Sequence, residues 1–469
     1  MIAARRLDWN PALERAVEWC REIDRPLLIF EGLRCDYRWA SHRLHRFCID
    51  GMAAHRRRLQ GSRVGYFPWL EREPGEGRGL LAALGEEAAV VITDEFPSFF
   101  LPRMVRAAAN RLPVALEVVD GNGILPLREP DRDFVTAHSF RRHLQKVLPR
   151  ELEYAPAPHP LRGDPLPPFA ELPEGVRSRW PPAEEALLDG EAGTLDALPI
   201  DPTVPPVPFA GTSEEARRRL THFLEGGLGA YADGRNDPDS PGTSGLSPFL
   251  HWGRISAHEV VHTVLEREEW HPGRLAGTAD GRRRGWWGLD AGSEAFLDQL
   301  VTWRELGYVT AHRTDDSEAY ESLPSWARET LAHHADDPRP HLYTLEAFEK
   351  AETHDELWNA AQRELREEGT IHNYLRMLWG KKILHWTESP EMALDIMLEL
   401  NNRWAIDGRN PNSTSGIFWV LGRYDRGWPE REVFGKVRSM TSRSTRRKLN
   451  LAGYLNRFGP DGPQGSLDL

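Results

Sequence analysis

Fourteen of the chain's 36 prolines fall between residues 156 and 208. Proline fixes φ and has no N–H to donate, so helix interiors and central strands exclude it. A stretch this dense in proline reads as an irregular connector wrapping a surface, and it divides the chain. Before it, short apolar runs at Pro26–Phe30, Val64–Pro68, Ala88–Thr93 and Val114–Val119 alternate with helix-like stretches such as Arg43–Leu59 and Pro102–Arg111. That alternation predicts a doubly wound parallel sheet with helices on both faces. A ligand would sit at the carboxyl edge of such a sheet, but no glycine-rich phosphate motif marks one. After the connector the period is helical. Ser213–Glu225 is amphipathic, Thr353-His-Asp-Glu356 is a capping box for a helix reaching about Glu368, a second helix runs from about Thr370 to Trp386, and Ser389-Pro390 starts a third. The expected architecture is α/β plus all-α: an α/β domain over 1–150, a connector over 151–210 and an all-helical domain over 211–469, a division that suits 469 residues.

No run of eighteen apolar residues is present, so no membrane span is expected, and Met1–Arg6 lacks the apolar region of a signal peptide. Cys20, Cys35 and Cys48 have no metal-binding spacing. A reducing cytoplasm, no disulfide and no metal are expected. The net charge of −12 argues mildly against a nucleic-acid partner, yet charge is segregated. Val433–Pro460 holds no acidic residue but carries Lys436, Arg438, Arg443, Arg446, Arg447, Lys448 and Arg457. Such a surface can grip phosphates; a solvated tail is the plainer alternative. Seventeen tryptophans suit packed cores, base stacking or electron transfer.

Three segments concentrate chemistry. In GRNDPDSPGTSGLSPFLHWGRIS (234–256), Thr243, Ser244, Gly245, Leu246 and Ser247 precede a proline-started helix, an arrangement that cradles phosphate or merely caps a helix. In IHNYLRMLWGKKILHW (371–386), His372, Arg376 and Trp379 share one helix face, with Trp386 seven residues beyond Trp379; a packed core stripe has the same spacing. In LNNRWAIDGRNPNSTSGIFWVLG (400–422), Asp407 is a natural partner for Arg376, although a turn rich in Asn, Gly and Pro needs no function.

Taken together, RNDP…TSGLSP, HNYLRM, IDGRNPN and WPEREVFGKVRSM resemble the DNA photolyase/cryptochrome family, most closely the class II cyclobutane pyrimidine dimer photolyases. The resemblance runs over nearly the whole chain, including ITDEFP and a Rossmann-like N-terminal domain. It implies a flavoprotein lyase that repairs UV-damaged DNA, acting as a monomer with FAD in its reduced form; whether an antenna chromophore is present, and which, is left open. On this resemblance Thr243–Ser247 hold the FAD phosphates with Tyr231 nearby. Arg376 and Asp407 form the ion pair beside flavin N5, Asn401 is its polar companion, and Asn373 and Arg409 complete the cofactor set. Trp379, Trp358 and Trp386 resemble a photoreduction chain, running from proximal through intermediate to near-surface. Trp303 and Trp419 resemble the indoles that receive a flipped-out dimer, with Arg235, Asn236, Met377 and Arg438 as further DNA or pocket residues.

Two departures bear on function. Gln299 stands where the family usually has a glutamate that bonds the dimer carbonyls; glutamine donates and accepts hydrogen bonds but supplies no proton. The family's first strand has no counterpart ahead of Met1–Asn10, which leaves open whether the true start lies upstream. Arg282-Arg-Arg-Gly-Trp-Trp287 lies in a segment longer than usual and reads equally as a DNA contact or a surface loop. The competing function is a cryptochrome-like photoreceptor without repair; the end of the chain at Leu469, soon after the basic segment, favours repair. A (6-4) photolyase reading is disfavoured because Asn373 and Met377 stand where that type has histidines.

Overall fold

The computed structural model describes residues 1–239 and 242–460, and its contacts divide the chain into two compact units. The first comprises residues 1–127, 150–220 and 246–263; the second comprises 128–149, 221–245 and 264–469.

In the first unit, β1 (Leu28–Leu33) pairs in parallel with β2 (Gly65–Leu70), and β3 (Val91–Asp94) with β4 (Leu116–Val119). The helices Pro11–Glu22, His42–Leu59, Leu80–Glu86 and Leu101–Ala109 alternate with them. Each strand and helix forms within a few residues of its apolar pattern. The single doubly wound sheet does not: among the described residues there are two separate two-stranded sheets. The segment bridging them is Met1–Ala4, and it is held by a side chain in place of a ladder. The Met1 amino group donates to Phe30 O at 2.8 Å, while the Asp94 carboxylate takes the N–H groups of Ile2, Ala3 and Ala4 at 2.9, 2.5 and 2.7 Å. The proline-rich segment wraps this unit as expected, and it also supplies core. Phe169 and Ala183 N–H donate to Arg63 O and Pro68 O, and Leu172, Val176 and Trp180 pack against Phe67, Trp69 and Leu80. The three cysteines are free and buried.

The second unit is helical. Its centre packs the helices Glu356–Glu368, Asn373–His385, Pro390–Trp404 and Pro411–Val420 around Leu375, Leu378, Met397, Leu400 and Phe418. Gly380 lets two of these helices meet: a Cβ there would stand 2.6 Å from Val420 Cγ2. The capping box is shifted. Asp355, not Thr353, is the N-cap of Glu356–Glu368, accepting from Trp358 N, because the Thr353 hydroxyl is engaged with Asn359 Oδ1 at 2.7 Å. Ser389 and Pro390 start the third helix as expected, Ser389 accepting from Met392 N. The helix Ala291–Leu297 runs into a wide π turn over Asp298–Trp303 and then into Arg304–Arg313. Among the described residues no helix is long and apolar enough to cross a membrane, and no cluster of His, Cys, Asp and Glu is placed to hold a metal ion.

Candidate active site

The second unit gathers the polar residues of the helix Asn373–His385 and of the turn Asp407–Asn410. Arg376 Nη2 donates to both oxygens of Asp407 at 3.1 and 3.4 Å, and Nη1 donates to Ser413 Oγ at 3.1 Å. The Ser413 hydroxyl donates to Asn401 Oδ1 at 3.1 Å, and Asn401 Nδ2 donates to Asn402 Oδ1 at 3.1 Å. Asn402 in turn accepts from Arg409 N at 2.8 Å, and its carbonyl accepts from the Arg409 guanidinium. Asp407, Asn401, Arg409 and Ser413 are buried. The turn closes on Gly408, where a Cβ would lie 2.6 Å from Asn401 O, and Arg409 takes φ 58°, so the carboxylate is presented by a constrained backbone. The result is a fixed ion pair with an amide one hydroxyl away, oriented before any ligand arrives.

The expected tryptophans come together. Trp358 and Trp379 stack with ring centres 6.5 Å apart and planes 5° apart, and Trp358 lies 6.1 Å from Trp386. Their N–H groups are anchored: Trp379 Nε1 donates to Gln362 Oε1 at 2.8 Å and Trp358 Nε1 to Trp379 O at 3.0 Å. Trp386 is not near the surface, as expected, but 1% exposed. The segment 341–354 folds over it: Tyr343 N donates to Trp386 O at 3.1 Å, and the Tyr343 and His354 rings lie 5.6 and 4.9 Å from the indole.

The expected pocket residues are half-buried: Gln299 and Trp303 on the π turn, Met377 on the central helix, Trp419 and Arg438. Arg438 stands 5.6 Å from the Trp419 ring centre and 4.8 Å from Trp428, an indole the motif reading passed over. Tyr231 is buried against Phe223 and Phe296, with the Arg235 guanidinium 5.9 Å from its ring; Asn236 is half-buried and Asn373 exposed. Thr243 and Gly245 are exposed, Ser244 half-buried, Leu246 buried and Ser247 exposed. The Thr243, Ser244 and Ser247 hydroxyls bond nothing among the described residues, and Gly245 takes φ 62°.

Sequence reasoning missed two titratable groups, Glu364 and Lys381, and gave a third, His372, no chemistry. Glu364 accepts His372 N at 3.0 and 3.1 Å and the Tyr454 hydroxyl at 2.7 Å, yet burial pushes its carboxyl up to about 7. Burial brings Lys381 down to about 7; its Nζ donates to Val420 O at 2.5 Å and stands 5.2 Å from the Trp419 ring centre. Burial also lowers His372 to about 4, against the raising influence of the Arg235 backbone and the Asp237 charge. The only sequence signal for any of them was the placement of His372 on the Arg376 face.

No protein-family model matches the chain. It is 34% identical over 459 residues to the deoxyribodipyrimidine photo-lyase of Methanothermobacter thermautotrophicus, covering 98% of this chain and 93% of that protein. The chain belongs to the deoxyribodipyrimidine photo-lyase family. The photo-lyase of Arabidopsis thaliana is 29% identical over 468 residues, covering 97% of this chain and 87% of its own. Among solved structures, a bacterial class III photolyase from Agrobacterium tumefaciens superposes with TM-score 0.67 at 18% identity, over 98% of this chain and 85% of that one. An archaeal photolyase from Sulfolobus tokodaii, solved with two FAD molecules, gives 0.61 at 15%, over 90% and 82%. Those two establish the photolyase fold of this chain, α/β with a helical part; the sequence relatives establish the family.

Proposed function

We propose that this protein uses light to split cyclobutane pyrimidine dimers in DNA, as a class II photolyase with FAD as its cofactor. The observation that carries the reading is the Arg376–Asp407–Ser413–Asn401 network, one helix turn from Trp379 on the same helix. A buried fixed charge pair beside an amide suits a ring whose protonation changes with redox state. The unbonded hydroxyls over 243–247 and the positive φ of Gly245 fit a dinucleotide with two phosphates.

On this reading Thr243–Ser247, Tyr231, Asn373 and Arg409 hold FAD, with Arg376, Asp407 and Asn401 at its redox-active ring. When bound and reduced, FAD supplies on excitation the electron that opens the cyclobutane ring and recovers it afterwards. Trp303 and Trp419 stack on the flipped bases, Arg235, Asn236 and Arg438 face the DNA, and Met377 closes the pocket. Gln299 donates its amide N–H to a dimer carbonyl and keeps donating as negative charge develops there. Trp379, Trp358 and Trp386 relay electrons inward in short steps.

The test is light-dependent reversal of a defined thymine dimer by the purified, reduced protein. A flavin-loaded protein that binds the lesion and reverses none under light refutes the reading. One observation favours the photoreceptor alternative, the neutral Gln299 in the place of the usual carboxylate; rescue of repair by Gln299→Glu in an otherwise inactive protein would establish it.

A further inference from the structure

A basic patch in the second unit is assembled from two segments far apart in sequence. The helix Ala137–Glu151 exposes Arg142 and Lys146, four residues apart on one face. The loop Gly281–Gly288 exposes Arg282, Arg283 and Arg284. Arg282 is engaged by Asp280 at 2.6 Å, but Arg142, Lys146, Arg283 and Arg284 have no carboxylate partner among the described residues. Exposed cation runs are usually solvated and mobile. This one is built. Gln145, between Arg142 and Lys146, accepts Gly281 N at 2.7 Å and donates to Arg282 O at 2.9 Å. Gly281, Gly285 and Gly288 turn the loop at φ 84°, 75° and 67°, and the buried Glu294 carboxylate receives the N–H groups of Gly285 and Gly288. Trp286 and Trp287, which follow the arginines in the loop, are buried, and Trp270 Nε1 donates to Trp287 O at 2.8 Å.

The same scaffold reaches the pocket strand of residues. Arg141 donates to Gly281 O at 3.3 Å and to the Asp298 carboxylate at 2.6 and 3.1 Å. Asp298 is the neighbour of Gln299 and begins the π turn that ends at Trp303.

We propose that Arg142, Lys146, Arg283 and Arg284 form a second grip on the DNA backbone, holding duplex phosphates on one flank of the lesion in fixed relation to Gln299 and Trp303. Four uncompensated cations in one place on a chain of net charge −12 suit a polyanion. Because the loop is held by its own hydrogen bonds, little ordering is left to be lost on binding. The proposal rests on the repair reading, since it needs DNA as the partner.

The experiment measures duplex affinity against salt for the wild type, Arg283→Ala/Arg284→Ala and, independently, Arg142→Ala/Lys146→Ala. All the replaced side chains are exposed, and unchanged thermal unfolding checks the fold. Losing two phosphate contacts lowers the slope of log K against log salt by about 1.8, equally on damaged and undamaged duplex. Trimming the duplex on the gripped flank costs the wild type all four contacts and each variant only the two it retains, so the wild type loses about twice as much on a logarithmic scale. An unchanged slope, a loss confined to damaged DNA, or equal sensitivity of wild type and variant to trimming would overturn the second grip alone, as would a patch that instead binds an acidic protein. A wild type without affinity for any duplex removes the repair reading as well, and the wild-type curve by itself tells the two failures apart.

Discussion

Each unit buries an ionic cluster, and the two are finished to different degrees. In the first unit Glu31 is fully buried and receives Arg5 Nη1 at 2.9 Å, His55 Nδ1 at 2.9 Å and the Tyr66 hydroxyl at 2.8 Å, with Arg254 Nη1 3.6 Å away. Burial pushes this carboxyl up, but His55, Arg5 and Arg254 outweigh it and hold it well below the usual carboxylate range. In the second unit Arg376 and Asp407 are paired, but around them burial raises Glu364 and lowers Lys381 and His372. In the first cluster each buried cation has the Glu31 carboxylate within reach, one atom, Arg254 Nε, lacks a hydrogen-bond partner, and the cluster serves the fold. The second keeps three titratable groups displaced by burial from their ordinary values, the electrostatic mark of a candidate site.

The contrast breaks most visibly at its completed end. Glu31→Leu strands the surrounding buried cations and should cost about 3–5 kcal/mol, read as a drop in the urea midpoint. A loss under about 1 kcal/mol would mean that the first cluster is no more finished than the second. At the unfinished end, Gln299→Leu removes a neutral donor from developing negative charge and should cost about 3 kcal/mol of its stabilisation, seen as a sharp fall in repair per absorbed photon. Gln299→Glu should raise repair only modestly; an unchanged leucine variant would show that Gln299 does not touch the dimer. Trp379→Phe should slow photoreduction at least about tenfold, the equivalent of about 1.4 kcal/mol, while repair by pre-reduced protein stays nearly intact. Wild-type photoreduction in that variant would send the electron by another route.

The smallest effects are pH-dependent. The raised Glu364 carboxyl contributes stability that is fully present below about 4.5 and lost as pH rises through about 7. Glu364→Gln removes that titration, so the variant should gain on the wild type between those values in a series of thermal unfolding curves. Lys381 works in the other direction. Its lowered value means that the wild type loses stability relative to Lys381→Met as pH falls from 10.5 to about 7, with no further change below. Parallel curves for either pair would show that the group titrates as it does in water.

Legibility followed the range of the interaction. Ser389-Pro390, the strand runs and the Arg376–Asp407 pair could all be read from the sequence, because each is a local rule or a motif of fixed spacing. The capping box over 353–356 failed by two residues because Asn359 competes for the Thr353 hydroxyl. Trp386 is buried where a surface position was expected, since nothing near it in the sequence announces that Tyr343 and His354 cover it. Gln362, Glu364 and Lys381 carried no signal because their chemistry comes from neighbours on other helices.

By itself the sequence determined the strand–helix alternation ahead of the proline-rich stretch, the helical period after it, and the family through its ordered motifs. Those depend on periodicity, on proline's missing N–H and on side-chain chemistry, all carried by residues close together in the chain. Only the tertiary structure decided that two short sheets form in place of one, and that Gln145 and Arg141 lock an arginine loop to the segment bearing Gln299. It alone decided which buried charges find partners. A pKa, an orphaned nitrogen and a shared guanidinium are set by groups a few ångströms apart in space and up to hundreds of residues apart in sequence, and burial sets how strongly those groups are felt.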